Sequence, residues 1–360
     1  MTLHAAPDHR TRRRGWLAAG AACLFVLAAV ILPQSSSATP LSYLEAHGAR
    51  AYPINNLLWA LIAVSLAVIV MAIALVLMGT FRGRSLPGDM LPGRLDVEPV
   101  RRGSIWIFTG VGASTIVLFA ATVWTVVTLA AVANPPGGKA DLTIEITGHQ
   151  WWWEVLYKGS HKGAGPDQIL RTANEIHIPV GQTVGVELRT SDVIHSFWVP
   201  SLTGKTDLIP GQINQTWFSA SNPGVYRGQC TEYCGRQHAH MGFEVIADDP
   251  QSFNAWYEHA LQPAPSPVSS EARADLETFV AKCGVCHTVA GTQAGGILGP
   301  DLSHLMGRRT IAAGTLPNSI GYLSAWIADP QHAKPGALMP RLDVDGPELT
   351  RIRRFLLTLQ

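Results

Sequence analysis

The residues best suited to chemistry lie in the twelve-residue stretch CTEYCGRQHAHM, positions 230–241, called here the cysteine loop. Cys230 and Cys234 are four positions apart, His238 follows four positions later, and Met241 three positions after that. Such soft sulfur and imidazole donors suit copper better than zinc, magnesium or calcium. A single blue-copper ion needs only one cysteine, so the other is either an idle thiol or a bridge to a second copper ion. The loop therefore predicts an electron-transfer centre.

A second redox motif, CGVCH at positions 283–287, has the spacing that attaches c-type haem. In such a site both cysteines form thioether bonds and the histidine is the proximal iron ligand, here Cys283, Cys286 and His287. A thioredoxin-like pair would need a βαβ frame. A zinc site would need a second Cys/His pair downstream. Neither pattern is visible in the sequence, so covalent haem is the prediction.

Composition limits the class of protein that carries these motifs. The chain has 360 residues, of which 15% are charged and 47% hydrophobic, with a net charge of +1. This length allows two or three domains, and the low charged fraction points to a membrane protein. A net charge near zero argues against a nucleic-acid-binding protein. Four of the five cysteines belong to the two motifs, which indicates metal and haem chemistry rather than a disulfide framework.

The N-terminus is typical of a secretory signal peptide, predicted over residues 1–38. It has a basic start, an apolar run over 16–32, and small residues that end at Ala38. The alternative is a first membrane helix that is retained. Cys23 lies within the apolar run and is predicted to be inert or removed with it.

Two longer apolar runs predict a transmembrane hairpin within residues 39–138. The spans cover about 56–78 and 105–133, and a helix of the shorter span would be roughly 35 Å long, enough to cross a bilayer. The connecting loop carries five arginines, Arg82, Arg84, Arg94, Arg101 and Arg102. By the positive-inside rule this loop is cytoplasmic. The chain after the hairpin is therefore expected on the periplasmic or outer face of a bacterial cytoplasmic membrane.

Residues 139–249 contain short alternating stretches that predict β-strands. They lie at 142–146, 175–178, 183–188 and 242–246, with Gly, Pro and Asn between them. This spacing predicts an antiparallel sandwich or barrel, and a cupredoxin-like Greek key fits it. His195 ends a further β-like stretch and is the candidate copper ligand from outside the cysteine loop.

Four segments together resemble cytochrome c oxidase subunit II. They are HQWWWE at 149–154, DVIHSF at 192–197, KTDLIPG at 205–211 and the cysteine loop. The resemblance runs from the helical hairpin to residue 249. It implies a binuclear copper centre, CuA, in which Cys230 and Cys234 bridge both ions.

The same resemblance implies the remaining residues of the site. His195 and His238 would each cap one copper ion. Met241 would complete one coordination sphere, and the backbone carbonyl of Glu232 the other. The side chain of Glu232 would reach a magnesium ion shared with subunit I. Trp151 matches the aromatic residue through which electrons enter from cytochrome c. At least one of the adjacent residues Trp151, Trp152 and Trp153 is expected to pack in the core.

The C-terminal part resembles cytochrome c. A linker is predicted over residues 250–271, with a Pro/Ser-rich stretch in it, and an all-α class I cytochrome c domain over 272–360. The resemblance implies a distal methionine ligand, for which Met306 and Met339 are the candidates. The surrounding loop, KPGALMP, favours Met339. His/Met ligation raises the haem potential, as delivery of electrons requires.

These features predict three parts: a transmembrane α-helical hairpin, an all-β cupredoxin-like Greek-key domain and an all-α class I cytochrome c domain. The expected protein is the subunit of a haem–copper terminal oxidase that takes electrons from a cytochrome c donor. They would pass through haem c and CuA to haem a of subunit I, where dioxygen is reduced to water with proton translocation. Expected partners are subunits I and III and cytochrome c or another periplasmic donor. The alternative is the corresponding subunit of a nitric oxide reductase that uses CuA.

Overall fold

The computed structural model describes residues 41–81, 101–158 and 169–360. The predicted signal peptide, Cys23, Arg82, Arg84 and Arg94 lie outside these residues. Within them the chain forms a pair of long helices, a β sandwich and a helical C-terminal domain, in that order. This arrangement confirms the predicted three-part architecture.

Two long apolar helices, α1 (Ala51–Phe81) and α2 (Arg101–Ala133), precede the sandwich. Each contains one of the two predicted spans, and each is long and apolar enough to cross a membrane. Most of their large apolar side chains are exposed, whereas the core helix of a soluble protein would bury one face. The end of α2 is fixed to the sandwich, because the indole of Trp217 donates to the carbonyl of Val132 at 3.0 Å.

The sandwich consists of two five-stranded sheets. One has the strand order β3-β2-β1-β5-β8 and the other β4-β10-β9-β6-β7. Their bounds are β1 (Leu142–His149), β2 (Trp152–Lys158), β3 (Leu170–Ala173), β4 (Glu175–Pro179), β5 (Val184–Thr190), β6 (His195–Trp198), β7 (Thr206–Leu208), β8 (Asn214–Phe218), β9 (Gly224–Cys230) and β10 (Gly242–Asp248). The four predicted stretches correspond to β1, β4, β5 and β10, which confirms them as strands.

Two strand pairs differ from the antiparallel prediction, since β1 pairs with β5 and β4 with β10 in parallel. Parallel neighbours need a long connection between them. Here the chain leaves β1, forms β2 and β3 in the same sheet, and crosses into the second sheet as β4. It then returns as β5 beside β1. Local alternation in the sequence does not reveal this crossing.

The core of the sandwich is aromatic at the end that carries the cysteine loop. The ring of Phe243 lies 5.2 Å from that of Trp153 and 4.8 Å from that of Phe197, measured between centroids. Both cysteines and the methionine of the cysteine loop belong to the same buried cluster. The loop is therefore anchored in the core rather than suspended above it.

Helix α3 (Pro250–Ala260) occupies the first half of the predicted linker, residues 250–271, and corrects that boundary. Asp249 caps the helix by accepting hydrogen bonds from two backbone amides of the first turn. Phe253 and Tyr257, one turn apart, are buried in the sandwich core. The helix belongs to the sandwich because its apolar stripe is covered there.

The C-terminal domain is helical, as predicted, with one small hairpin added. Helices α4 and α7 pack through Phe279 and Phe355, whose ring centroids are 4.9 Å apart. Arg354 of α7 binds both carboxylate oxygens of buried Asp275 of α4, at 2.9 and 2.6 Å. The elements are α4 (Ser270–Cys283), β11 (Thr310–Ile311), β12 (Leu316–Pro317), α5 (Ile320–Ala328), α6 (Pro330–Ala333) and α7 (Gly346–Leu356).

Candidate functional site

The donor atoms of the predicted copper site converge at one end of the sandwich. The Sγ atoms of Cys230 and Cys234 are 3.8 Å apart. The Nδ1 atom of His195 lies 3.9 Å from the Cys230 sulfur. The Nδ1 atom of His238 lies 3.6 Å, and the Sδ atom of Met241 3.8 Å, from the Cys234 sulfur. The structure therefore brings together five residues predicted from the sequence.

These separations fit donors that share metal ions. Where sulfur is about 2.3 Å and nitrogen about 2.0 Å from a tetrahedral ion, neighbouring donors are about 3.3–3.8 Å apart. The chain supplies one imidazole on each side of the cysteine pair, His195 beside Cys230 and His238 beside Cys234. A pair of copper ions bridged by the two sulfurs would find a nitrogen ligand for each ion. The donor set thus fits a binuclear copper centre.

Strand pairing places two of the predicted ligands. His195 begins β6 and Cys230 ends β9, and these strands are hydrogen-bonded neighbours. The backbone amide of Cys230 donates to the carbonyl of Met241 at 3.0 Å, which closes the base of the cysteine loop. Gly148 leaves room for the imidazole, because a Cβ atom there would be 2.8 Å from the Cδ2 atom of His195.

A carboxylate that the sequence analysis missed orients His195. The Nε2 atom of the ring lies 2.8 Å from Oδ1 of Asp192, and the other ring nitrogen faces Cys230. Asp192 is itself held by the backbone amide of Gln150, 2.7 Å from Oδ2. Burial disfavours a charged ring, but the contacts with Asp192 and Cys230 raise the pKa of His195 overall. The position of Asp192, three residues before His195, was the available signal.

The two thiols of the cysteine loop do not lose their protons alike. A hydrogen bond from the Cys234 thiol, assisted by His195, holds the pKa of Cys230 well below its ordinary value. The Cys230 thiolate and burial raise the pKa of Cys234 well above its ordinary value. Two thiolates this close repel each other. The positive charge of a bound cation would offset that repulsion, so both thiols could then be deprotonated.

Glu232 lies within the loop with its carbonyl facing the site. That oxygen is 3.3 Å from the Cys230 sulfur, so it is near the predicted copper position. The side chain is half-buried. In the parts of the chain that the structure describes, its carboxylate forms no hydrogen bond or ion pair.

Trp151 contacts the site directly. Its indole nitrogen donates to the carbonyl of Cys234 at 2.9 Å. Gly235 makes this approach possible, because its φ is +110° and a Cβ atom there would lie 3.1 Å from the Trp151 ring. Trp153 is the core member of the three adjacent tryptophans, and Trp152 stacks on His149 at 4.2 Å.

His240, the other histidine of the cysteine loop, faces away from the donor cluster. It is exposed, and its Nδ1 atom lies 2.6 Å from Oε1 of Gln237. The donor geometry therefore favours His238 over His240 as the copper ligand.

The haem motif is placed at the end of α4. Cys283 ends the helix, and the backbone amides of Cys286 and His287 both donate to its carbonyl, at 3.1 and 3.0 Å. Nδ1 of His287 donates to the carbonyl of Pro300 at 2.8 Å, which leaves Nε2 for a ligand. Burial lowers the pKa of His287 and so favours the neutral ring that binds metals.

The surroundings of this motif fit a haem group. Gly299 is required next to the histidine, because a Cβ atom there would lie 2.7 Å from Cε1 of His287. Val285 and Leu298 are 73% and 72% exposed beside the motif, an apolar surface that suits a porphyrin face. Burial raises the pKa of Cys283 to about 12.

The two candidate methionines differ in their surroundings. Met306 packs against the core of the C-terminal domain, and its amide donates to the carbonyl of Leu359 at 2.8 Å. Met339 lies in residues 334–340, called here the Met339 loop, and its carbonyl accepts a hydrogen bond from Gln331 at 2.8 Å. A methionine already used in the core is the poorer ligand, which favours Met339.

Comparisons with known proteins cover both redox domains. The family model for the periplasmic domain of cytochrome c oxidase subunit II matches residues 142–247. The model for cytochrome c matches residues 277–360. Cytochrome c oxidase subunit 2 of Alkalihalophilus pseudofirmus is 38% identical over 229 residues, which cover 63% of this chain and 64% of the relative. The probable cytochrome c oxidase subunit 2 of Rickettsia bellii is 40% identical over 131 residues, covering 33% of this chain and 49% of the relative.

The chain spans less than two thirds of the length of these relatives. Among solved structures, the periplasmic domain of subunit II of cytochrome oxidase from Bradyrhizobium japonicum is 36% identical. The match covers 34% of the present chain and 94% of the Bradyrhizobium japonicum domain, with a TM-score of 0.29. By the two family models, residues 142–247 are similar to the periplasmic domain of cytochrome c oxidase subunit II, and residues 277–360 are similar to cytochrome c.

Proposed function

We propose that this chain is the subunit of a haem–copper cytochrome c oxidase through which electrons enter the complex. The observation that carries the proposal is the pair of cysteine sulfurs 3.8 Å apart with an imidazole on each side, joined to a domain with a c-type haem motif. When bound, haem c and CuA supply the redox chemistry that passes electrons from a cytochrome c donor to haem a of subunit I. Dioxygen reduction to water and proton translocation belong to subunit I.

The proposed copper ligands follow from the converging donor atoms. Cys230 and Cys234 would bridge the ions, and His195 and His238 would each cap one. The thioether of Met241 and the carbonyl of Glu232 complete the set, which their positions beside opposite cysteines support. The carboxylate of Glu232 is proposed to reach a magnesium ion shared with subunit I, on the resemblance alone.

The other residues hold these ligands and exclude water. Asp192 fixes the tautomer and orientation of His195, as carboxylates do for metal-binding histidines. The aromatic core under the loop keeps the site dry. Trp151 is the proposed point at which electrons arrive, because its indole is bonded to the carbonyl of Cys234. In the C-terminal domain, Cys283 and Cys286 would attach haem through thioether bonds, and His287 and Met339 would supply the ligands to its iron.

The proposed domain organisation follows the same assignment. Residues 1–38 are a signal peptide and 39–138 a hairpin that crosses the membrane twice. Residues 139–249, together with helix α3, form the copper domain, and 272–360 form the haem domain. The two redox domains lie on the periplasmic face, where subunits I and III and a cytochrome c or another donor are the partners.

Metal and haem analysis of the full-length protein, purified with its associated subunits, tests the proposal. We expect two copper ions and one covalent haem per chain, and an EPR spectrum in which one unpaired electron is shared by both ions. Cys234→Ser should abolish this spectrum, and so should His238→Ala, whereas His240→Ala is the matched control that keeps it. A single blue-copper spectrum, or the lack of covalent haem, contradicts the proposal. Uptake of nitric oxide without uptake of dioxygen would support the reductase instead.

A further inference from the structure

We infer that Gln237 directly, and Lys334 through Trp151, fasten the Met339 loop to the cysteine loop, and that Lys334 is a positioning residue for electron transfer between the two centres. The inference rests on the proposed function. It concerns two side chains that no ligand role requires, although both are buried at the contact between the copper domain and the haem domain.

Lys334 is a lysine of the haem domain that is bonded to the copper domain. Its side chain is buried, with the residue only 3% exposed. Its Nζ atom donates to the carbonyl of Trp151 at 2.8 Å and to the carbonyl of Ala312 at 3.2 Å. Among the residues that the structure describes, it has no carboxylate partner. An unpaired lysine is costly to bury, so a position like this one calls for a reason other than surface ion pairing.

The bonds of Lys334 do not depend on its charge. Burial lowers the pKa of Lys334 to about 7. A protonated lysine has three N–H donors, and the neutral amine still has two. Two carbonyls accept from it, so both remain satisfied in either protonation state. The tie to Trp151 therefore persists through the neutral pH range.

Gln237 makes the second bond between the loops. It is 4% exposed and stands directly before His238 in the cysteine loop. Its Nε2 atom donates to the carbonyl of Pro335 at 2.7 Å, next to Lys334 in the chain. Gln237 thus bonds the Met339 loop directly, whereas Lys334 is joined to the cysteine loop through Trp151, whose indole donates to the carbonyl of Cys234.

The Met339 loop is also held from within its own domain. The Nε2 atom of Gln331 donates to the carbonyls of Ala337 and Met339, both at 2.8 Å. The amide of Gly336 donates back to Oε1 of Gln331 at 2.7 Å. These three bonds hold the loop to Gln331, so a bond that holds Lys334 to the copper domain also restrains Met339 relative to it.

The resulting connection joins the two predicted ligand sets by two hydrogen bonds. One runs from the indole of Trp151 to the carbonyl of Cys234, and the other from Lys334 to the carbonyl of Trp151. Among the described residues, other hydrogen bonds between the domains lie outside the Met339 loop, such as those of Arg227 to the carbonyl of Gly314 at 3.0 Å and of Thr315 to the carbonyl of His240 at 3.4 Å. Those contacts support docking, whereas Lys334 and Gln237 set the approach of the two loops.

The test measures electron transfer between the centres in the full-length protein with its associated subunits. The haem is reduced by a light pulse, and the absorbance of haem and copper is followed in time. We expect Lys334→Met to slow this transfer by about tenfold or more, as small misplacements of reacting groups do. Gln237→Leu, which changes no charge, should slow it as well. The haem spectrum and the copper EPR spectrum should stay the same in both variants.

Lys158→Met is the matched control, because Lys158 bonds Glu145 and Glu187 within the first sheet and has no contact with the Met339 loop. Transfer at the wild-type rate in both test variants overturns the inference. Slowing confined to Lys334→Met, with a shifted copper potential, assigns the effect to charge and also overturns it. If Lys334→Met does not accumulate, Gln237→Leu decides by the same measurement. A wild-type protein without CuA or haem spectra refutes the proposed function instead.

Discussion

The indole nitrogen of Trp151 lies 2.9 Å from the backbone oxygen of Cys234 and donates a hydrogen bond to it. The same oxygen accepts a second hydrogen bond from the side chain of Gln150, at 2.8 Å. A carbonyl oxygen has two lone pairs and accommodates both donors. Removal of the Trp151 bond therefore leaves this buried carbonyl satisfied, so the role of the indole can be separated from the stability of the loop.

Trp151→Phe should slow electron transfer from haem to copper while the copper EPR spectrum stays unchanged. Phenylalanine keeps an aromatic ring but has no N–H donor, so one hydrogen bond is lost. The expected loss in the free energy of unfolding is about 1 kcal/mol. Trp152→Phe is the control, because Trp152 stacks on His149 and has no bond to the cysteine loop. Loss of copper from Trp151→Phe would show that the indole is structural instead.

Asp192→Asn should weaken copper binding by about 10–100-fold, the usual effect of losing a carboxylate behind a metal-binding histidine. The amide can still meet Nε2 of His195, but it supplies no negative charge to the ring. Competition with a copper chelator measures the change. Asp248→Asn is the matched control, because Asp248 forms the same kind of 2.8 Å pair with His177, which is not a proposed ligand. Equal copper affinity in both variants would exclude an orienting role for Asp192.

The predicted ligands could be found from the sequence because their chemistry is local. Sulfur and imidazole donors that share an ion must be close in space, and the cysteine loop places four of them within twelve residues. The haem motif is shorter still. His195 needed the resemblance as well, because its neighbour Cys230 is 35 positions away and only the pairing of β6 with β9 brings them together.

The interdomain contacts could not be predicted in this way. Lys334 and Trp151 are 183 positions apart, and a lysine in a loop is normally expected at the surface. Helix α3 was assigned to the linker because its contact with the sandwich also cannot be inferred from local sequence. Its buried residues, Phe253 and Tyr257, form a stripe that needs the assembled sandwich as its partner. Both features depend on surfaces that exist only after the domains have folded.

Met339→Leu should remove the optical features of His/Met ligation while the haem stays covalently attached. Leucine has a similar volume but no sulfur, so the loop is expected to keep its shape. Met306→Leu should keep those features and cost less than about 1.5 kcal/mol in the free energy of unfolding, as volume-conserving core changes do. Absorption spectra of the two purified variants make the comparison. The reverse pattern would assign the distal ligand to Met306.

His177 links three elements of the copper domain through its imidazole. The ring stacks on Trp256 of α3 at 4.0 Å, and Nδ1 lies 2.8 Å from a carboxylate oxygen of Asp248. Nε2 lies 3.2 Å from the carboxylate of Glu175. Burial alone would lower the pKa of His177, but the hydrogen bonds to these two carboxylates raise it overall.

The raised pKa of His177 predicts that the copper domain becomes less stable as the pH rises. An unfolded histidine has a pKa of about 6.5, and the folded value is higher. The folded state therefore binds the proton more tightly, so its extra stability is present below pH 6.5 and is lost as the pH rises through the folded pKa. His177→Gln should remove this dependence, whereas His332→Gln, which changes an exposed histidine of the haem domain, should retain it. Calorimetric melting of the full-length protein across this pH range measures the difference. Parallel curves for wild type and His177→Gln would show that folding does not change the pKa of His177.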